Sequence, residues 1–481
     1  MSSYTSDQNL SEPLLPLKEI PGSYGLPFFG PIQDRLDYYY KQGPDEFLKA
    51  RIKKYNSTVF RMNSPPGPFN AHDSKVVVLL DAVSFPILFD TSKVEKRNIF
   101  TGTYMPSTKF NGGYRVCSYL DPSESKHEVL KGFFLSLLGR LHKEIIPTFR
   151  SSVSRLFTDL ETELSDKGQA NFNTISDKMS FDLLFRLFAN TSSYDTSVAG
   201  DGNTNLDKWL FFQLAPLVPL NLKFLPKFVE DFLLHTFPLP SFLVKSGYEK
   251  VREAFNKAAK ELLDEAEKNG VSRDEASHNL LFLTGFNAYG GTKILFPALL
   301  KYVGTGGSDL HRRLADEIRT VVAEEGGITL AGINKMSLAK SVVWEALRIE
   351  PPVANQYGKA KEDITVTSHD ASYVIKKGEI VFGYQPIVTK DPKIFVNPEE
   401  FVADRFVGDG EKLIKYVYWS NGRETDDPTT SNKQCPGKDM VVLFSRLMLV
   451  EFLLRYDTFK VEIGKLLLGS SVTFKSLTKA A

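Results

Sequence analysis

The stretch Ser431–Met440, SNKQCPGKDM, decides the fold. It places Cys435, one of only two cysteines in 481 residues, in a Pro-Gly turn directly ahead of a long apolar run, DMVVLFSRLMLVEFLLRY. A cysteine that only fills a core can sit in any helix or strand. One just before a helix start has its sulfur near unpaired N–H groups and the positive end of the helix dipole, which favour thiolate. Cys435 is therefore read as a nucleophile or a metal ligand. Beyond Met440 the run is interrupted only by Arg446, Glu451 and Arg455. That pattern predicts a central, buried helix, so the turn opens onto the core.

Composition bounds the rest. With 42% hydrophobic and 24% charged residues the chain has an ordinary globular composition. A net charge of +1 gives no field for nucleic acid, and two cysteines exclude a disulfide scaffold and fit a reducing compartment. The start, MSSYTSDQNLSEPLLPLKEIPGSYG, has no basic region, no apolar h-region and no Arg. It reads neither as a signal peptide nor as a transit peptide, and residues 1–16 are expected to be flexible. The longest charge-free apolar run, Trp209–Leu222, has fourteen residues broken by two prolines. It is too short to span a bilayer, although it could touch one. A cytoplasmic location, with peripheral contact to membranes or lipid bodies, follows as an expectation.

Helical patterns dominate the middle of the chain: 124–138, 151–165, 177–188, 246–268, 274–304, 310–325 and 333–349. Short strands are predicted at 76–80, 364–367, 373–382 (with a turn at Lys377-Gly378) and 472–477. Residues 17–481 are thus expected to form one large helical domain with small sheets at one side. The segment 274–304 carries Gly285, Gly290 and Gly291 inside and Pro297 near its end. It reads either as one helix of ~45 Å or as two helices with a Gly-Gly break.

Two further signals precede Cys435. WEALRIEPP carries Glu345 and Arg348 at i, i+3 on one helix face. FVADRF then places Arg405 thirty residues before the cysteine. An E-x-x-R pair alone is usually a solvated surface pair. In this order, ahead of x-x-x-C-x-G and a long helix, the three become specific. The chain resembles a cytochrome P450. The resemblance implies that Glu345, Arg348 and Arg405 form a buried Glu–Arg–Arg triad, that Cys435 is the thiolate ligand of haem b (iron protoporphyrin IX), and that the long glycine-containing helix crosses the distal haem face. Its glycines would then give haem and substrate room against the backbone.

The chain departs from ordinary monooxygenases. The approach to the cysteine, YWSNGRETDDPTTSNKQCPGK, is longer and lacks the usual Phe and Gly, and Gly285–Gly291 (GFNAYGG) contains no acid for an acid–Thr proton relay. These departures, with EIPGSYGLPFFGPI, GGYRVCSYLDPSESKHEVLK, HNLLFLTGFNAYGG and WSNGRET, resemble the plant P450s that rearrange fatty acid hydroperoxides: allene oxide synthases, hydroperoxide lyases and divinyl ether synthases. The resemblance implies that the substrate brings its own oxidised oxygen, so that neither O₂, NADPH nor a reductase is needed. It further implies that Lys96, His127, Lys131 and Lys433 hold the haem propionates or border the haem. HEVLK independently sets His127 and Lys131 at i, i+4 on one helix face, able to meet an anion together.

At the reacting end, the Asn287 amide is expected to hold the peroxide, and Phe100 and Phe286 to lie against the radical's π system. Ala354 stands where the resemblance places the substrate pocket lining. The branch within the group is mixed. Phe100 resembles the synthases and Ala288 the lyases. Weighting Ala288, which sits beside Asn287, favours a non-plastidial lyase that cleaves 9- and 13-hydroperoxides to aldehydes and oxoacids through a hemiacetal. The alternatives are an allene oxide synthase and an epoxyalcohol or divinyl ether synthase. From other classes come a conventional monooxygenase and a non-catalytic haem protein of lipid particles.

Overall fold

The helix Lys438–Arg455 organises the molecule. It contains no Gly or Pro, places Asp439 in its first turn and Arg455 in its last, and so matches its own dipole at both ends. Phe444, Leu447 to Val450, Phe452 and Leu453 are all fully buried, so nearly every face meets protein. The computed structural model describes residues 15–480. The segment 1–16 expected to be flexible lies outside them as far as residue 14. Pro16 is already tied down, its carbonyl accepting the Ser372 N–H at 3.0 Å.

Ile145–Lys167 and Ser337–Ile349 pack on this helix, and Phe172 of Phe172–Ala189 meets its Phe452; Ser125–Leu141, Gly202–Leu214, Phe242–Ala258 and Lys260–Lys268 complete this part of the helical body. The last two replace one expected helix. Four small sheets are present among the described residues. The largest runs in the order Val59–Asn63, Lys75–Leu79, Ile380–Tyr384, Asn355–Ala360 and Val94–Glu95. Its Lys75–Leu79 strand lies parallel to Ile380–Tyr384, pairing Val76 with Ile380. The expected strand 373–382 is two strands in different sheets, because the turn at Lys376–Glu379 sends Ser372–Ile375 back onto Ile364–Thr367. The Tyr456–Lys465 strand was not expected; it pairs with Ser470–Lys479 beside the end of the central helix.

The ambiguous segment is one rod: Arg273–Leu281, a π-helical stretch Phe282–Tyr289, then a helix from Gly290 that is kinked beyond the segment on its way to Glu324. Gly290-Gly291 does not break it, since Gly290 keeps helical angles. The interruption comes later, at Gly307 (φ 74°, ψ −173°). The rod starts where Ser272 caps it, its hydroxyl accepting the Glu275 N–H.

No helix among the described residues is long and apolar enough to cross a membrane. Trp209 is fully buried in the core, whereas Phe224, Phe228, Phe232, Phe237 and Phe242 are exposed, Phe224 at 82%.

Candidate functional site

The Cys435 turn is held by the loop that replaced the usual approach sequence. Tyr418–Trp419 and Gly422–Arg423 pair as a hairpin, and its Ser420 carbonyl accepts the Cys435 N–H at 3.1 Å. Gln434 Nε2 donates to the Arg423 carbonyl at 2.5 Å. A Cβ on Gly422 would lie 2.6 Å from the Gln434 side chain and would push that side chain from the crossing. Glu424 closes the hairpin by accepting both the Trp344 and Trp419 indole N–H groups. The dipole argument for a free thiolate is outweighed: burial pushes the Cys435 thiol up, opposed by the Gly437 N–H and the Lys131 ammonium. A metal bound there would take the thiol's proton outright.

Glu345, Arg348 and Arg405 meet. Glu345 Oε2 accepts Arg348 Nε at 2.7 Å. Its Oε1 accepts Arg348 Nη2 at 2.8 Å, Arg405 Nε at 2.8 Å and the Val402 N–H at 3.0 Å. Glu345 and Arg348 are fully buried. The remaining guanidinium donors reach the carbonyls of Thr389, Val396, Asn397, Pro398 and Glu400. A buried carboxylate is tolerable only with its lone pairs met in this way. The triad therefore clamps the helix Ser337–Ile349 to the segment leading toward Cys435.

On the other side of the site, Phe100 and Phe286 meet edge to face at 5.7 Å between centroids. Phe286 stacks on Phe282 at 4.5 Å, Tyr119 packs edge-on to Phe100, and Trp209 edge-on to Phe286. Phe282, Tyr119 and Trp209 escaped sequence reasoning. Only Phe282, four residues before Phe286 on one helix face, left a signal there. Asn287 is half-buried, and its amide makes no hydrogen bond among the described residues. Ala288 is only 6% exposed and packs in the main core. Ala354 lies at the edge of the largest sheet, its carbonyl accepting the Gln385 N–H at 2.7 Å. Gly285 does not make room for a cofactor as expected. A Cβ there would lie 3.1 Å from Leu206 Cδ2, so the glycine lets the helix Gly202–Leu214 approach.

Lys96, His127 and Lys131 are buried, and none of them nor Lys433 has a carboxylate within ion-pair distance among the described residues. Lys96 donates to the Tyr357 carbonyl, and Lys131 to the Asn432 carbonyl at 2.5 Å and Oδ1 at 3.0 Å. Lys433 donates to the carbonyls of Cys117, Ser118 and Leu120 at 3.1, 3.1 and 2.8 Å. His127 Nδ1 is buried without a partner. A cleft of about 590 Å³ between Gly113–Arg115 and Ser125–Lys126 carries none of these residues and is bordered by the Arg115–Glu124 and Lys126–Glu275 ion pairs.

Residues 308–464 match the family model Cytochrome P450. Over 98% of this chain and 96% of its own length, Allene oxide synthase 3 of Solanum lycopersicum is 61% identical. The chain belongs to the cytochrome P450 family. Allene oxide synthase, chloroplastic, of Arabidopsis thaliana is 54% identical over 97% of this chain and 90% of its own, and 9-divinyl ether synthase of Capsicum annuum is 50% identical over the full length of both. This P450 has the mainly α fold of its family, and the family's cofactor is haem.

The cation cluster fits that cofactor. Three buried basic groups and the half-buried Lys433, none with a carboxylate and one with an orphaned ring nitrogen, suit the two propionates of haem. Lys96, His127 and Lys131 would hold them. All three donors of Lys433 are already taken by carbonyls, so it would border the haem. Burial, aided by the neighbouring Lys433 charge, lowers Lys96 to about 7, His127 to about 4 and Lys131 to about 8. A lysine lowered in the folded state binds its proton less tightly there than in the unfolded chain. Its stability contribution is lost as pH falls and regained as pH rises from about 7 towards 10. Buried Cys and Tyr side chains, held above their ordinary values, oppose this above about pH 9, so the haem-free protein is expected to melt higher at pH 9 than at pH 7. Lys96 alone contributes roughly 2 kcal/mol across that window. Anionic propionates lift both lysines back, so the loaded protein is expected to lack the slope. Thermal melts of both forms across this range check it.

Proposed function

We propose that this P450 is an allene oxide synthase, which converts a fatty acid hydroperoxide to an allene oxide and water. The observation that carries the reading is the whole-length similarity to proteins named allene oxide synthases, at 61% and 54% identity. The Phe100–Phe286 contact supports it, since Phe100 is the synthase-like feature of the sequence. The lyase reading rested on Ala288, whose methyl packs in the core, and none of the three relatives named above is called a lyase.

The haem, when bound through Cys435, supplies homolytic cleavage of the weak O–O bond and takes back one electron. Everything else falls to the chain. The free Asn287 amide donates to the hydroperoxide and fixes its position. The edges and faces of Phe100 and Phe286 confine the adjoining double bond, so the oxygen radical closes onto it as an epoxide. The apolar walls of Phe282, Tyr119 and Trp209 keep water from the intermediate until its proton is lost. The net change is loss of one water, so the balance requires no external electrons.

The test is anaerobic and without NADPH. Haem-loaded protein is mixed with 9- and 13-hydroperoxides of linoleic and linolenic acid, and products are trapped and identified by mass spectrometry. Ketols and cyclopentenones, derived from allene oxide, are expected. Aldehydes with oxoacids would replace this reading by the lyase, and divinyl ethers by the third branch. In the same assay Asn287→Ala is expected to lower kcat/KM by about 10- to 100-fold, the loss of one hydrogen bond made to the reacting group.

A further inference from the structure

The π-helical stretch Phe282–Tyr289 needs an external support. Such turns are rare and persist where surroundings hold them. Adding one residue to a turn rotates everything beyond it by about 100°, so the π stretch sets where Phe286 and Asn287 point. Phe100, Tyr119 and Phe181 touch it from other elements, and the helix Gly202–Leu214 grips it at both ends. At the start, the Trp209 ring packs edge-on to Phe282 and Phe286, with centroids 6.0 and 6.2 Å away, and Leu206 fills the space over Gly285. At the end, the hydroxyl of fully buried Tyr289 donates to Asp207 Oδ1 at 3.0 Å. Asp207 is itself fixed by Lys293, 3.1 Å away, and Lys293 is shared with Asp177 on Phe172–Ala189. Burial and the two carboxylates hold the Tyr289 hydroxyl protonated, a donor at any working pH.

We propose that Tyr289 is a positioning residue: its hydrogen bond to Asp207 locks the phase of the π stretch and so aims Asn287 at the substrate. Tyr289 touches no reacting atom in this scheme. The inference rests on the hydroperoxide reading for its chemistry and on the bond itself for its structure.

The experiment uses haem-loaded Tyr289→Phe, Asp207→Asn and wild type. Asp207→Asn keeps an acceptor oxygen for the tyrosine while losing the charge, and Lys293 retains Asp177, so it serves as the conservative rescue. Two readouts are taken. Amide hydrogen exchange over residues 282–291 is expected to rise at least tenfold in Tyr289→Phe and to stay within twofold of wild type in Asp207→Asn. In turnover, Tyr289→Phe is expected to lose at least tenfold in kcat with KM within about twofold, and to release a changed product ratio, while Asp207→Asn behaves as wild type. Unchanged exchange in Tyr289→Phe overturns the proposal. So does faster exchange with wild-type kcat and product ratio, and so does an Asp207→Asn as damaged as Tyr289→Phe. A wild-type enzyme inert to every hydroperoxide overturns the proposed function instead, and hydrogen exchange alone then decides the lock.

Discussion

Serine in place of Cys435 is expected to leave a folded chain that has lost at least 10³-fold in turnover. The fold survives because the turn is held by main-chain and neighbouring bonds, Cys435 N–H to Ser420 and Gln434 to Arg423, none of which uses the sulfur. Activity does not survive, because a serine hydroxyl remains protonated where a thiol gives up its proton to a metal. Haem content, the absorption spectrum of the reduced carbon monoxide complex and turnover of a hydroperoxide report this together. A serine variant with a thiolate-type spectrum, or with turnover within tenfold of wild type, would remove Cys435 from the centre of the site.

Glu345→Ala is expected to cost about 3–5 kcal/mol, the usual penalty for removing one partner of a buried ion pair. Four hydrogen bonds converge on this carboxylate. Without it, Arg348 keeps its charge at zero exposure and Arg405 loses its bond to the same group. The damage should reach the cofactor, because the clamp orients the chain between Ser337–Ile349 and the Cys435 loop. Denaturant unfolding gives the stability and the spectrum gives haem retention. A loss below 1 kcal/mol with full haem content would show the triad to be surplus.

Much of this was legible in order along the chain. The cysteine turn, the all-apolar helix behind it and the E-x-x-R pair are local patterns, and each stands where its spacing put it. The π stretch was not legible, because Phe282 and Phe286 at i, i+4 satisfy an ordinary α-helix equally well. Nor could sequence reveal that Gly285 serves the neighbouring helix, since Leu206 is 79 residues away in the chain. The strand Tyr456–Lys465 hid because its burial is irregular and its partner was only half recognised. Lysine in a sequence reads as surface. Only packing shows that Lys96 and Lys131 are buried without a carboxylate, which suits them to an anion. The choice of branch turned on Ala288, and only the fold shows that its side chain packs in the core.

Lys433 stands two residues before Cys435, and its ammonium bridges to three carbonyls of the turn Cys117–Leu120. That turn leads within a few residues into the helix bearing His127 and Lys131. The Cys435 turn and the segment that leads into the helix bearing His127 and Lys131 are therefore tied into one piece, so a displacement on either side is passed to the other.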